Sequence, residues 1–198
     1  MENAARKLDK KTKYSYADYL LWPDDERWEI IDGVPYSMSP APVPNHQRIS
    51  MELSRQIANY LVDKSCEIFT SPIDVRFVKE IKENNEDIFD VVQPDIIIVC
   101  DKKKIDDKGC IGPPDIVIEI LSPSTASRDF LKKRMLYEKN KVKYYWIVSP
   151  DEKEIYIHQL QDNGKYGDPD IYKEKDKIKI SNFKDLEIDL SHVFKIKS

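Results

Sequence analysis

A buried-strand pattern interrupted by one carboxylate constrains this chain more than any other feature. Two short runs rich in β-branched residues, 96–99 and 116–121, each follow a Pro-Asp pair. Runs of this length that are apolar on both faces are typical of strands buried inside a sheet. Glu119 lies within the second run. A carboxylate in such a strand is costly unless it is paired or binds a metal ion.

The spacing of the two runs predicts which carboxylates meet. The charged segment 101–109 between them indicates a solvated connection. If the strands pair antiparallel about a centre near residues 107 and 108, Asp95 lies opposite residue 119 or 120. Asp95 and Glu119 would then share one end of the hairpin. Asp115 begins the same strand as Glu119, but four residues of about 3.3 Å each separate the two by roughly 13 Å, so they cannot share one ion.

The helix predicted over residues 126–138 would supply a cation to this pair. At about 100° per residue, Lys133 falls in the middle of the apolar side, which consists of Ala126, Phe130, Leu136 and Tyr137. A lysine on a packing face needs an anionic partner, and the strand that carries Glu119 is the natural surface. Two interpretations remain open from the residues alone. One is a functional site, and the other is a buried Glu119–Lys133 salt bridge with an ordinary i,i+4 pair between Asp129 and Lys133.

These residues resemble a known nuclease superfamily. Pro94-Asp95, then Glu119, then a lysine is similar to the PD-(D/E)xK pattern, and the longer string resembles the superfamily's putative restriction endonuclease family, formerly a domain of unknown function. The residues that carry the resemblance are Pro94-Asp95, the run from Pro114 to Thr125, the Asp129/Lys133/Tyr137 spacing and the run from Tyr144 to Pro150. The likeness spans about residues 16–150. The superfamily's usual lysine position, two after the acid, is Leu121 here, and the resemblance assigns its role to Lys133.

The resemblance implies both a fold and a chemistry. The expected fold is α/β (α+β), a restriction-endonuclease-like core with a central mixed β-sheet flanked by helices, an N-terminal hairpin and C-terminal edge strands. The expected activity is metal-dependent hydrolysis of DNA phosphodiester bonds by an endonuclease. Asp95, Glu119 and the backbone carbonyl of Ile120 would bind Mg²⁺ or Mn²⁺, which prefer oxygen ligands. Lys133 would orient or deprotonate the attacking water, or neutralise a phosphate oxygen. A homodimer is implied, because cutting both strands favours two-fold symmetry.

Four further residues are candidates for supporting roles: Glu29, His46, Asp129 and Tyr137. Asp129 and Tyr137 lie one turn either side of Lys133 and would fix its rotamer. Glu29 is either a residue that reaches the ion or one with a structural or rim role. His46 is either a capping or core histidine or a group that contacts substrate or water beside the carboxylates.

Other functions stay open at this stage. A net charge of −4 argues against a surface of uniformly positive potential. It does not exclude nucleic acid, because phosphate contact needs only a local basic strip. The alternative is a catalytically weak or inactive nuclease-like fold that serves as a binding or assembly module. RNA is not excluded as the substrate.

Length and patterning suggest a simple organisation. Residues 1–13 are expected to form a flexible basic arm, and residues 14–198 a single nuclease-like domain. Asp32-Gly33 between two apolar runs predicts a hairpin with a two-residue turn. A helix is predicted over residues 45–64, with Asn45 as its N-cap. Alternating residues after position 150 predict half-exposed edge strands.

The cysteines and the apolar runs indicate the cellular compartment in which the protein is expected. The three cysteines, Cys66, Cys100 and Cys110, are widely spaced, which argues against a structural disulfide and against a zinc site. No apolar run approaches the roughly 20 residues that span a bilayer, and the charged N-terminus lacks the apolar core of a signal peptide. We therefore expect a cytoplasmic protein without a membrane partner.

Overall fold

Two six-stranded β-sheets and four α-helices form most of the regular structure in the described residues. The computed structural model describes residues 12–23, 26–38, 42–79, 83–122, 126–181 and 183–195, and of residues 126–130 only the backbone. The helices are α1 (Tyr16–Tyr19), α2 (Pro44–Leu61), α3 (Ala126–Lys139) and α4 (Leu190–Val193). The strands are β1 (Trp28–Ile31), β2 (Val34–Ser37), β3 (Glu67–Thr70), β4 (Val75–Arg76), β5 (Val91–Val92), β6 (Ile96–Val99), β7 (Ile105–Asp106), β8 (Gly109–Ile111), β9 (Ile116–Ile120), β10 (Tyr144–Ser149), β11 (Glu154–Gln159), β12 (Asp170–Lys173), β13 (Lys177–Ile178) and β14 (Ile188–Asp189).

The central sheet has the order β12-β11-β10-β9-β6-β3. It is mixed, because β9 runs parallel to β10 and antiparallel to β6. The strand that carries Glu119 therefore lies in the interior of the sheet, as its apolar flanks predict. The α+β class with a mixed central sheet is confirmed.

Side-chain alternation divides the core between the two faces of this sheet. Even-numbered residues of β6 and β9, such as Ile98 and Ile118, pack with α2. Odd-numbered residues, such as Ile97 and Val117, pack with Leu136 of α3 and with the second sheet. Glu119 has the same parity as Val117, so it projects toward α3.

The second sheet has the order β2-β1-β5-β4-β8-β7, of which the sequence patterns predict only the N-terminal hairpin as a unit. The connection over residues 101–109 is largely exposed, as predicted, but it is not an irregular loop. It contains a short 3₁₀-helix, Lys102–Lys104, and the strand pair β7–β8. The amide of Cys110 in β8 donates to the backbone oxygen of Asp74 at 2.8 Å, which ties this excursion to β4.

The predicted N-terminal hairpin is present as β1–β2. Asp32 and Gly33 form its turn with φ angles of 50° and 79°, the left-handed values that this kind of turn requires. Helix α2 begins one residue before the predicted start and ends at Leu61 rather than near residue 64. Asn45 is not its N-cap. Val43 takes that place without a side-chain bond, and Pro44 is tolerated in the first turn because its missing N–H would have no helical partner there.

Two further expectations from the sequence were wrong. Cys66 and Cys100 form a disulfide. Glu67 pairs with Val99, so the preceding Cys66 and the following Cys100 are brought face to face although 34 positions separate them. Strand β11 was expected at an edge, but it lies between β10 and β12 with His158 buried. The expected basic arm falls almost entirely outside the described residues.

No helix in the described ranges combines the length and the apolar character needed to cross a membrane.

Two glycines with positive φ, Gly109 and Gly112, allow a matched test of how closely β8 approaches the Asp74 backbone. We predict that Gly109→Ala lowers the free energy of unfolding by roughly 3 kcal/mol, because a Cβ there would overlap the Asp74 backbone oxygen and force a backbone shift. Gly112→Ala, at φ 81° with open space around the new Cβ, should cost only about 1 kcal/mol. Urea denaturation measures both, and equal losses would contradict the close approach of β8 to Asp74.

Candidate active site

The two acids of the sequence prediction lie opposite each other in the central sheet. Ile96 pairs with Ile118 and Ile97 with Val117, so the next step of the same register sets Asp95 opposite Glu119. Asp115 lies at the other end of the hairpin. Its carboxylate accepts hydrogen bonds from the Cys100 amide and the Lys143 ammonium there, at 2.8 and 2.9 Å. The second Pro-Asp pair therefore stays apart from the acid pair.

Helix α3 delivers Lys133 to Glu119. The Lys133 ammonium donates to Oε1 of Glu119 at 2.9 Å, and the side chain lies on the buried face, with 9% of the residue exposed. One turn later, the hydroxyl of Tyr137 donates to the same oxygen at 2.6 Å. Tyr137 was expected to fix the lysine rotamer, but its hydroxyl holds the Glu119 carboxylate instead. The Asp129 side chain lies outside the described residues.

A third carboxylate arrives from the second sheet. Glu29 of β1 is 7% exposed, and its Oε1 lies 2.8 Å from the Lys133 ammonium. The same oxygen accepts a hydrogen bond from the backbone amide of Gln93 at 2.9 Å. Glu29 is thus a buried member of the cluster and not a rim residue. The ammonium of Lys133 bridges two carboxylates from different sheets.

His46 contacts the other acid of the pair. Its Nε2 lies 3.2 Å from Oδ2 of Asp95, and the same oxygen accepts a hydrogen bond from the Ile120 amide at 2.7 Å. His46 is 8% exposed, and its Nδ1 has no hydrogen-bond partner among the described residues. The capping interpretation does not hold, since the ring points to Asp95.

Burial and charge set the protonation states of this cluster. Burial raises the pKa of Glu119 to about 7, although the Lys133 charge opposes the rise. Burial also acts to lower the pKa of Lys133, but the charges of Glu119 and Glu29 outweigh it and hold this pKa above its ordinary value. Burial and the Glu119 charge raise the pKa of Tyr137. At neutral pH, Lys133 is therefore an ammonium and Tyr137 a neutral donor.

The pKa of His46 shifts for opposing reasons. Burial acts to lower it, whereas the hydrogen bond to Asp95 and the charge of that carboxylate raise it, and the net direction is upward. A histidine of this kind stays protonated to a higher pH than a free one. It can therefore donate to Asp95.

The chemistry of the two acids fits a hard divalent ion. Within the described chain, the hydrogen bonds of the Glu119 side chain all end on Oε1 and those of the Asp95 side chain on Oδ2. One oxygen of each carboxylate is left for a ligand. The described ranges contain no group of three or more His, Cys, Asp or Glu in metal-binding geometry. An ion here would need backbone carbonyl and water ligands as well, which is common for Mg²⁺.

Gln93 is a residue of the site that the sequence analysis missed. Its backbone amide donates to Glu29. Its side-chain nitrogen donates to Asp74 at 2.9 Å and to the Tyr19 hydroxyl at 3.0 Å. The only sequence signal was its place immediately before Pro94-Asp95. A glutamine next to a strand start has no periodicity that would reveal these partners.

The fold and the acidic cluster define a nuclease-like α+β protein. Comparison with known proteins agrees with this class. A family model described as "Putative restriction endonuclease", Uma2, matches residues 16–191. The chain belongs to the Uma2 family.

Two similar proteins extend the comparison. The uncharacterized protein slr1290 of Synechocystis sp. is 32% identical over 157 residues, which cover 78% of each protein. Among solved structures, a putative nuclease of the DUF820 group from Anabaena variabilis superposes with a TM-score of 0.71. That match covers 91% of this chain and 97% of the other at 19% identity, so it supports the fold alone.

The raised pKa of Glu119 predicts a pH-dependent stability of the metal-free protein. An unfolded Glu titrates near pH 4.3, so between about pH 4.3 and 7 the folded state binds more protons and loses stability as the pH rises. Glu119→Gln removes this loss. From pH 5 to pH 8 we expect the variant to gain stability relative to the natural chain, on the order of 3 kcal/mol, in urea titrations with EDTA.

Glu52→Gln is the matched control. The Arg55 hydrogen bond lowers the pKa of Glu52, so its contribution is lost only as the pH falls through that low pKa. The difference between this variant and the natural chain should be flat above pH 5. Parallel stability curves for Glu119→Gln and the natural chain would contradict the assigned charge state.

Proposed function

We propose that this protein is a metal-dependent endonuclease that hydrolyses DNA phosphodiester bonds. The observation that carries the proposal is the buried cluster at one end of the central sheet. There Asp95 and Glu119 lie opposite each other, and the Lys133 ammonium is held 2.9 Å from Glu119. Membership of a family described as putative restriction endonucleases supports the same reaction class.

Asp95, Glu119 and the Ile120 carbonyl would hold Mg²⁺ or Mn²⁺. When bound, such an ion activates a water molecule and offsets the charge that builds on the phosphoryl oxygens. Lys133 keeps its proton, because two carboxylates face it. Its role is therefore to orient the attacking water and neutralise a phosphate oxygen, and not to deprotonate the water.

The remaining residues hold the acids in position. Tyr137 donates to Glu119 and leaves the second oxygen of that carboxylate for the ion. His46 donates to Asp95 in the same way. Glu29 supplies the second negative charge that keeps Lys133 protonated. Asp129 stays a predicted supporting residue.

Double-stranded DNA is the proposed partner, and RNA is a second substrate to be tested. A homodimer would present two sites to the two strands. The organisation proposed above, a single domain after a basic arm, is compatible with this assembly.

A binding or assembly module is the competing function. One observation favours it, since Lys133 bridges Glu29 and Glu119 as a self-contained buried ion cluster. Such clusters also occur in proteins without catalytic activity. Cleavage assays separate the two functions.

We predict metal-dependent cleavage that depends on both acids. Plasmid, linear duplex, single-stranded DNA and RNA are incubated with Mg²⁺, Mn²⁺ or EDTA, and products are resolved on gels. Asp95→Asn and Glu119→Gln should each reduce the cleavage rate at least ~100-fold, because losing a metal ligand removes several kcal/mol of transition-state stabilisation. The two variants should also lose the thermal stabilisation that Mn²⁺ gives the natural chain.

Asp115→Asn is the control, since it makes the same change in the second Pro-Asp pair. Asp115 contacts Lys143 at the opposite end of the strands, so its loss should leave the cleavage rate within a few-fold. Full activity of Asp95→Asn and Glu119→Gln would refute the site. If the natural chain cleaves none of these substrates with any of the ions, the result favours the binding module.

A further inference from the structure

Arg27 lies on the same strand face as Glu29. The backbone oxygen of Arg27 accepts a hydrogen bond from the Met38 amide at 2.9 Å, which extends the β1–β2 ladder by one residue pair. Residues two apart on a strand project from the same face, about 7 Å from each other. Arg27 is therefore the next side chain beside the acid cluster along β1.

The guanidinium of Arg27 is held by neutral acceptors. Its Nε and Nη2 donate to Oε1 of Gln93 at 3.0 and 2.8 Å, and Nη2 donates to the Ser71 hydroxyl at 2.8 Å. Both partners connect directly to the site. The Gln93 amide donates to Glu29, and the Ser71 amide donates to the backbone oxygen of Asp95 at 2.9 Å.

This arginine differs from Arg55 and Arg76 in having no acidic partner among the described residues. Arg55 pairs with Glu52, and Arg76 pairs with Asp106. Within the described residues, no carboxylate lies within ion-pair distance of Arg27, and its Nη1 donates to none of their acceptors. The side chain is half-buried, so it is both fixed and accessible. A guanidinium that is fixed by neutral groups keeps its charge and two N–H donors for an anion.

We propose that Arg27 binds a backbone phosphate of the substrate strand, close to the phosphate that is cleaved. This inference rests on the proposed function, because the anion it assigns is the nucleic acid backbone. The two N–H groups of Nη1, which no described residue accepts, can donate to the oxygens of such a phosphate.

Binding of a fluorescent DNA duplex tests the proposal, with Ca²⁺ in place of Mg²⁺ and anisotropy measured over a range of salt concentrations. Arg27→Gln should weaken binding about tenfold and reduce the slope of log K against log salt by about 0.9, the value for one phosphate contact. Arg27→Lys should keep the slope and recover only part of the affinity, because it keeps the charge but lacks the guanidinium that Gln93 and Ser71 hold in position. Arg55 is already paired with Glu52 of its own helix. Arg55→Gln should therefore alter neither the affinity nor the salt slope.

Neutral phosphates provide a second test with the natural protein. A set of duplexes carries one methylphosphonate each, at successive positions around the cut. A methylphosphonate at one of these positions should weaken binding of the natural chain about tenfold. The same methylphosphonate should not weaken binding of Arg27→Gln further, because the substitution and the neutral phosphate remove the same contact. This comparison stands even if Arg27→Gln folds poorly, since Arg27→Met removes the same charge and can replace it.

The outcomes separate this inference from the proposed function. If the natural chain cleaves DNA but Arg27→Gln keeps the full salt slope, Arg27 only holds Gln93 and Ser71 in place and the inference is wrong. If DNA is bound with the predicted slopes but never cleaved, the endonuclease proposal fails and the phosphate contact stands. A natural chain that does not bind DNA overturns both.

Discussion

The salt bridges of Lys133 are the constraint on which the rest of the site depends. A buried ammonium is tolerated only with anionic partners, and here they are Glu119 of the central sheet and Glu29 of the second sheet. Helix α3, β9 and β1 must all be in position before the charge is compensated. Removing one member of such a buried cluster leaves another charge unpaired, which typically costs 3–5 kcal/mol. The cluster therefore links the stability of the sheet packing to the geometry of the site.

The pleat of the central sheet explains why the cluster forms where it does. The even-numbered residues of β9 pack against α2. The odd-numbered residues, which include Glu119, face α3 and the second sheet. Glu119 can therefore meet a helix residue and a residue of β1 on the same side. Asp95, at the start of β6, is reached by His46 from the first turn of α2. The acid pair thus lies where both helices and both sheets come together.

Much of this arrangement could be predicted from the sequence because it depends on local periodicity. The register that sets Asp95 opposite Glu119 follows from a period of two, and the burial of Lys133 follows from a helical period. The second sheet could not be predicted in this way. Strands β4 and β5 have two residues each, and their partners are distant in sequence, so no repeating pattern marks them. The Cys66–Cys100 disulfide and the contacts of Gln93 were missed for the same reason, since they depend on pairing between separated segments.

The balance of charge in the cluster connects the proposed metal ion with the proposed phosphate contact. Lys133 pairs with Glu29 and Glu119, and His46 pairs with Asp95. Three carboxylates therefore outnumber the cationic groups of the metal-free site whenever Glu119 is ionised. A phosphodiester would be repelled from such a site. Burial raises the pKa of Glu119, which relieves part of the repulsion in the metal-free protein. Approach of DNA requires further positive charge, and a divalent ion at the acids together with Arg27 beside the cluster would supply it.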